Sequence, residues 1–189
     1  YMNLDVSDVQ IHNSSYDAMR VEYNNSSIMH FKNLDIKNNE EEAMRIRSNQ
    51  SGSQVKVELS NFVNNNQRYY YDGIVTIGDY DYNNGSVIFN NNNFMDSNPD
   101  HNNNSNFYYV RVDANGGSSD QIDMTSNYWG QLVTAEMDSL GTRANISKIY
   151  DNWDSSNRSE VNYANWLSSP MIRPVKVHVE DTYVAIGDT

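Results

Sequence analysis

The sequence predicts an all-β solenoid built from short strands that stack in parallel. Three observations carry this. Apolar and polar residues alternate strictly over short stretches, the period of a strand with one buried face. Such stretches recur: Ala18-Met19-Arg20-Val21 matches Ala43-Met44-Arg45-Ile46, with looser counterparts at Ile74-Val75-Thr76-Ile77 and Tyr109-Val110-Arg111-Val112. Finally, an asparagine followed by an apolar residue recurs at Asn3, Asn33, Asn61, Asn93 and Asn127, at spacings of 30, 28, 32 and 34 residues. A recurring period of this size is the signature of a repeat architecture.

Each unit reads as strand, turn, strand, asparagine turn, short strand and loop. The second strands are Ile28–Lys32, Val55–Leu59 and Ser86–Phe89, with Gln121–Met124 after a small register slip. The third strands follow the asparagine: Leu34 with Ile36, Phe62 with Val63, Phe94 with Met95. Units of about 30 residues cannot bury an apolar face alone, whereas stacked units can. Asparagine, 30 of the 189 residues, tolerates left-handed backbone and bonds its own turn. Asn33, Asn61, Asn93 and Asn127 are therefore read as interior turn residues with a structural role. Replacing Asn61 by Leu is expected to leave turn backbone groups unpaired. The general crossover rule gives the winding a right hand, and a β-sandwich, the competing all-β reading, would lack the fixed period.

Residues 1–130 are assigned to the coils, 131–170 to a cap, and 171–189 to a linker or the start of a following domain. Val133–Leu140 reads as a short helix stopped by Gly141, and Val161–Tyr163 as a strand. All three tryptophans, Trp129 included, lie between residues 129 and 166. Large aromatics suit the covering of a raw solenoid end. Val175–Val179 is a further strand. The chain opens on Tyr1 with no signal-like apolar run, so a segment of a longer polypeptide is expected.

The formal net charge of -12 argues against nucleic acid and anionic membranes as partners. No stretch approaches the roughly 20 apolar residues of a membrane span. With no cysteine, disulfides and thiolate metal sites are excluded.

Asn127-Tyr128-Trp129-Gly130, then Ile146–Asp151, Val161–Tyr163 and Trp166-Leu167 to Pro170, resemble the end of secreted bacterial right-handed parallel β-helix proteins, the pectate-lyase-like solenoids. In that family an Asn-Tyr-Trp-Gly motif ends the last coil. The resemblance implies a right-handed parallel β-helix with a small C-terminal cap and a secreted or cell-surface location. For function it implies less, since the family spans lyases, hydrolases, epimerases, adhesins and structural proteins.

The outward residues of the first strands, Arg20, Arg45, Thr76 and Arg111, with Glu22, Arg47 and Asp113 two residues on, are expected to stack into a surface stripe. The resemblance implies that this face holds an acidic sugar chain, and arginine forks suit carboxylates. The other reading is a face where Arg and Glu pair across rungs. Tyr69, Tyr70, Tyr71, Tyr80 and Tyr82, on two loops, offer aromatic faces to sugars or to their own loops. Asp79 and Asp81 are candidate calcium ligands, as are Asp151 and Asp154, although no cofactor is required. Glu40-Glu41-Glu42 reads as a solvated turn. Among the rungs only Asp113 and Glu22 are acidic, several coils apart, so no carboxylate pair for glycoside hydrolysis is visible. The four histidines show no ligand spacing.

The expected function is a non-catalytic extracellular module of a larger protein that binds or displays, with polysaccharide or another surface protein as partner. A polysaccharide lyase or hydrolase with part of its active site upstream is the alternative. A structural component of a surface fibre or scaffold is the third.

Overall fold

The computed structural model describes residues 3–22, 24–47, 50–68, 72–78, 85–114 and 121–172. Tyr69, Tyr70, Tyr71, Asp79, Tyr80, Asp81, Tyr82 and the strand expected at Val175–Val179 lie outside them. The chain is mostly β, in three parallel sheets that it visits in turn. The first round is β1 (Asn3–Ser7), β2 (Gln10–His12) and β3 (Met19–Val21). The second is β4 (Ile28–Lys32), β5 (Asp35–Lys37) and β6 (Met44–Ile46). The third is β7 (Gln54–Glu58), β8 (Asn61–Val63) and β9 (Gly73–Ile77). The fourth is β10 (Ser86–Asn90), β11 (Asn93–Met95), the short helix α1 (Pro99–Asn103) and β12 (Tyr108–Val112). Then come β13 (Gln121–Asp123), helix α2 (Gly130–Leu140), β14 (Ile149–Tyr150) and β15 (Glu160–Asn162). Sheet A is β1-β4-β7-β10-β13-β15, sheet B is β2-β5-β8-β11, and sheet C is β3-β6-β9-β12-β14.

The rungs keep a register that places like on like. Met19 pairs with Met44, Arg20 with Arg45, and Arg45 and Arg111 both with Thr76. Sheet B stacks Ile11, Ile36, Phe62 and Phe94 in one column. That column ends in an aromatic pile. The ring centroids of Phe62 and Phe94 lie 5.1 Å apart and those of Phe94 and Trp129 4.8 Å, near parallel in both cases. Val55, Val57, Val75, Ile77, Phe89, Val110 and Val112 fill the interior alongside. The alternation seen in the sequence is this face, buried rung upon rung.

The turns from sheet A to sheet B follow one rule. Asp8, Asn33, Leu59, Asn91, Ser126 and Asn165 all have φ between 54° and 60°, the left-handed region that asparagine tolerates better than most residues. The residue after it faces inward. Ser60, Asn92 and Asn127 are fully buried there and form a ladder. The Ser60 amide donates to Asn92 Oδ1 (3.0 Å) and the Asn92 amide to Asn127 Oδ1 (2.8 Å). Asn92 Nδ2 donates back to the Val57 carbonyl and Asn127 Nδ2 to those of Phe89 and Met124. The turns from sheet B to sheet C repeat the device. Asn13, Asn38 and Asn64 are left-handed, and buried Asn39 and Asn65 are joined at 2.7 Å.

The expected series of equivalent asparagines is therefore corrected. Asn33 is the left-handed residue, Asn61 and Asn93 open the strands of sheet B, and Asn127 belongs to the buried ladder one position earlier. Asn3 starts β1, opposite Ile28. Asn61 bonds the side chains of Asn93 and Asp35, not turn backbone. Asn93 instead clasps Met171, accepting from its amide at 2.7 Å and donating to its carbonyl at 2.9 Å.

The sheets also run on past Gly130, since β14 and β15 add a rung each to sheets C and A. Sheet B does not continue in this way. After a single bridge from Tyr128 to Asn93, α2 takes its place and buries Val133 and Met137. Gly141, at φ 79°, ends the helix. The Tyr163 hydroxyl accepts from the Ala144 amide at 2.7 Å, and Trp166 Nε1 donates to Asp138 at 2.8 Å, tying the closing segment together.

Two stability outcomes follow from the turn rule. Asn92→Leu strands the Ser60 amide and the Val57 carbonyl in the interior, and urea unfolding should show a loss of about 2–4 kcal/mol. Leu59 carries a branched side chain in left-handed backbone while only half-buried. Leu59→Asn should therefore raise stability by about 1 kcal/mol in the same measurement.

Candidate functional site

The arginine stripe exists as a register column, and its guanidiniums are already engaged. Arg20 donates to Asp17 through Nη2 (2.6 Å) and Nε (2.9 Å) and lies 3.5 Å from Glu22. Arg45 contacts Glu42, Asp17 (3.5 Å) and Asp72 (3.4 Å). Arg47 reaches Glu22 at 3.5 Å. Arg111 donates to Asp113 at 2.9 Å and sits 5.1 Å from the centre of the Tyr150 ring. Thr76, between Arg45 and Arg111, is buried and accepts from the Gly73 amide. A glycan carboxylate would have to displace these internal partners.

The acids at the entry to sheet C follow from a local repeat. Asp17-Ala-Met-Arg20 and Glu42-Ala-Met-Arg45 place a carboxylate three residues before each arginine. Stacking the rungs then brings the two acids together. Glu42 is only 1% exposed, so the expected solvated turn at Glu40-Glu41-Glu42 holds one of the most buried charges in the molecule. Its neighbour forms an ordinary surface pair, Glu40 with Arg68 at 3.4 Å. Burial, together with the adjacent Asp17 carboxyl, pushes the Glu42 carboxyl up to about 8. Burial also opposes the charge on Asp17, but bonds from Glu42 and Arg20 outweigh it and hold Asp17 below the usual carboxylate range. The pair shares a proton between unlike partners. Sequence reading missed it because neither acid lies on a strand.

A second feature opens where the stripe ends. A trough of about 460 Å³ is lined by Asn103, Asn104, Ser105, Tyr108, Glu136, Asn145, Ser147, Lys148 and Asp154. It joins the end of α1, the start of β12, the flank of α2 and the segment around β14. Its floor is fixed from below. Lys148 Nζ donates to the carbonyls of His101 (2.9 Å) and Asn104 (2.8 Å), and burial holds its ammonium below the ordinary lysine value. His101 is buried, stacked on Phe107 with 4.1 Å between ring centres, and its Nδ1 lies 2.6 Å from Asp96 Oδ2. Glu136 accepts from the amide and hydroxyl of Ser147 at 2.9 and 2.7 Å. Tyr108 stands at the rim, 5.4 Å from Tyr150. In the sequence Tyr108 reads as the end of a polar loop running from Asn98 to Tyr109, whereas the structure places it at the start of β12, and its trough partners come from segments that no period connects.

Asp151, a candidate calcium ligand in the sequence, is committed elsewhere. It is buried and accepts from the amides of Val161 (2.8 Å) and Trp153 (2.9 Å), which pins β15. Trp129 is buried in the aromatic pile.

Comparisons with protein-family models, with curated proteins and with solved structures found no match.

The Glu42 carboxyl sets a pH dependence. Its folded-state value lies above its unfolded one, so its contribution is fully present below about 4.5 and is lost as pH rises toward 8. Thermal unfolding between pH 5 and pH 8 should show stability falling with pH. The slope should flatten in Glu42→Gln. An unchanged slope would place the titration on another group.

Proposed function

We propose that the chain is a stretch of right-handed parallel β-helix that serves as a non-catalytic, carbohydrate-binding module of a secreted or cell-surface protein. A chain that visits three parallel sheets in turn, rung after rung, is what such a winding requires, and parallel crossovers prefer the right hand. The single observation that carries the ligand is the trough. Its volume falls in the range of ligand sites, about 300–1,000 Å³. Amides, hydroxyls and carboxylates line it, and an aromatic ring stands at its rim. Paired hydroxyls of a sugar bond well to such carboxylates and amides, while its apolar face covers the ring.

Charge narrows the class. Glu136 and Asp154 face the trough, and the one ammonium there is tied down by carbonyls. Neutral or amino sugars fit better than uronates. The non-catalytic reading is supported by how the two trough carboxylates are engaged: Glu136 accepts from the Ser147 amide and hydroxyl, and Asp154 from the Asn145 side chain and the Asp151 amide.

Calorimetry of the whole chain against neutral, amino and uronic oligosaccharides tests this. A neutral or amino sugar should bind, and Tyr108→Ala or Asp154→Asn should weaken it by about tenfold or more. Affinities unchanged in both variants, or no binding by any sugar, would overturn the reading.

A further inference from the structure

The floor of the trough carries a charged donor that the fold leaves partly unused. Lys148 is only 6% exposed, yet it lines the trough. An ammonium has three protons to give. Two go to the carbonyls of His101 (2.9 Å) and Asn104 (2.8 Å), and no third acceptor meets it among the described residues. Asp96 is turned to His101, at 2.6 Å, and Glu136 holds Ser147 with both of its oxygens. The Phe107 ring, 5.8 Å from Nζ, favours the charge without taking a hydrogen bond. Burial works against the charge, and the fields of Asp96 and Glu136 work for it. A buried donor without an acceptor is costly, and the trough is the side from which an acceptor can reach this one.

The surroundings of the ammonium limit what that acceptor is. Glu136 and Asp154 share the trough with it, so a carboxylate or sulfate on the ligand is repelled. The ammonium in turn repels a second ammonium, which disfavours a free amino sugar. A neutral group remains. The two carboxylates still have lone pairs to offer, so the site presents one charged donor together with acceptors. Its complement is a group with one strong acceptor next to one donor, and among neutral sugar substituents the acetamido group has that pattern. Its carbonyl oxygen is polarised by the amide nitrogen and takes a charge-assisted bond that a hydroxyl matches poorly. Its N–H suits a carboxylate, and its methyl suits an aromatic face. Ring and carboxylate stand together at the rim, where burial and the nearby Asp154 raise the Tyr108 hydroxyl above its ordinary value.

We propose that the trough selects N-acetylated amino sugars, and that Lys148 sets the preference by donating its third proton to the acetamido carbonyl. The inference rests on the trough being a carbohydrate site and narrows the ligand to one substituent. Lys148 also has a structural duty, since it ties the end of α1 to the segment before β14. A general loss of affinity in a Lys148 variant would report that duty alone. The ratio of affinities for two sugars that differ only at the acetamido position reports the donor.

The test is calorimetry of the whole chain with matched oligosaccharides, one set of gluco and one of galacto configuration. Within a set the members share backbone and linkage and differ only at carbon 2, which carries acetamido, free amine or hydroxyl. In at least one set the acetamido member should bind tenfold or more tighter than both others. Lys148→Met should bring the acetamido and hydroxyl members of that set to within about twofold of each other. If that variant fails to fold, the ranking of the three members by the parent chain still decides. Hydroxyl or amine members bound as tightly as the acetamido member, or an acetamido preference that survives in Lys148→Met, would overturn the inference and leave the trough a sugar site. No binding by any member of either set would overturn it together with the reading on which it rests.

Discussion

The structure depends on what happens to the backbone at its corners. Parallel strands satisfy one another along each sheet, but a chain that turns from sheet to sheet exposes amides and carbonyls toward an apolar interior. Water cannot reach them there. The chain meets this with two adjacent residues. A left-handed residue turns the backbone outward, and the next residue sends a short polar side chain inward, where it accepts from the amide of the rung below and donates to carbonyls of that rung or of its own turn. Ser60, Asn92 and Asn127 do this at one corner and Asn39 and Asn65 at another. Without these bonds the sheets would still pair, but the apolar columns between them would be bordered by unpaired polar backbone.

The same economy of position explains where chemistry is available. Within a regular rung, an outward side chain has neighbours above and below at the spacing of adjacent strands, roughly 5 Å. Charges of opposite sign therefore find each other, and Arg20, Arg45, Arg47 and Arg111 are all engaged with carboxylates of the chain. Open polar space collects where the period breaks. Helix α1 and its following residues, α2 and the segment before β14 each interrupt a rung, and between them they leave the polar trough. The interruption that brings in α2 after Trp129 also builds one wall of the trough, through Glu136.

The strands of the interior were legible in the sequence because alternation and repeat length report burial directly. The in-register pairing of Met19 with Met44 and of Arg20 with Arg45 was visible as a repeated tetrapeptide. The helix ending at Gly141 was visible from its stop signal. The corner asparagines were visible as a class but not by position. Turns shift by a residue or two without altering the strands they join, so Asn33, Asn61 and Asn127 looked equivalent while occupying three different places. The buried acids were not legible. Glu42 sits in a run of three glutamates that reads as surface, and only the stacking of Asp17 above it, 25 residues away in the sequence, removes it from water. The trough was not legible either, because its walls come from residues between 103 and 154 that share no period. Tyr69, Tyr70, Tyr71, Tyr80 and Tyr82 lie outside the described residues, as do Asp79 and Asp81.

The most direct test of the corner account is native-state hydrogen exchange resolved at single amides. The amides of Ser60 and Asn92 donate to buried side-chain oxygens, so they should exchange as slowly as those of the flanking strand residues Val57 and Phe89, in one cooperative unit. Fast exchange at Ser60 and Asn92 beside slow exchange at Val57 and Phe89 would contradict the account. It would mean that the corners open independently and that the strands alone hold the stack.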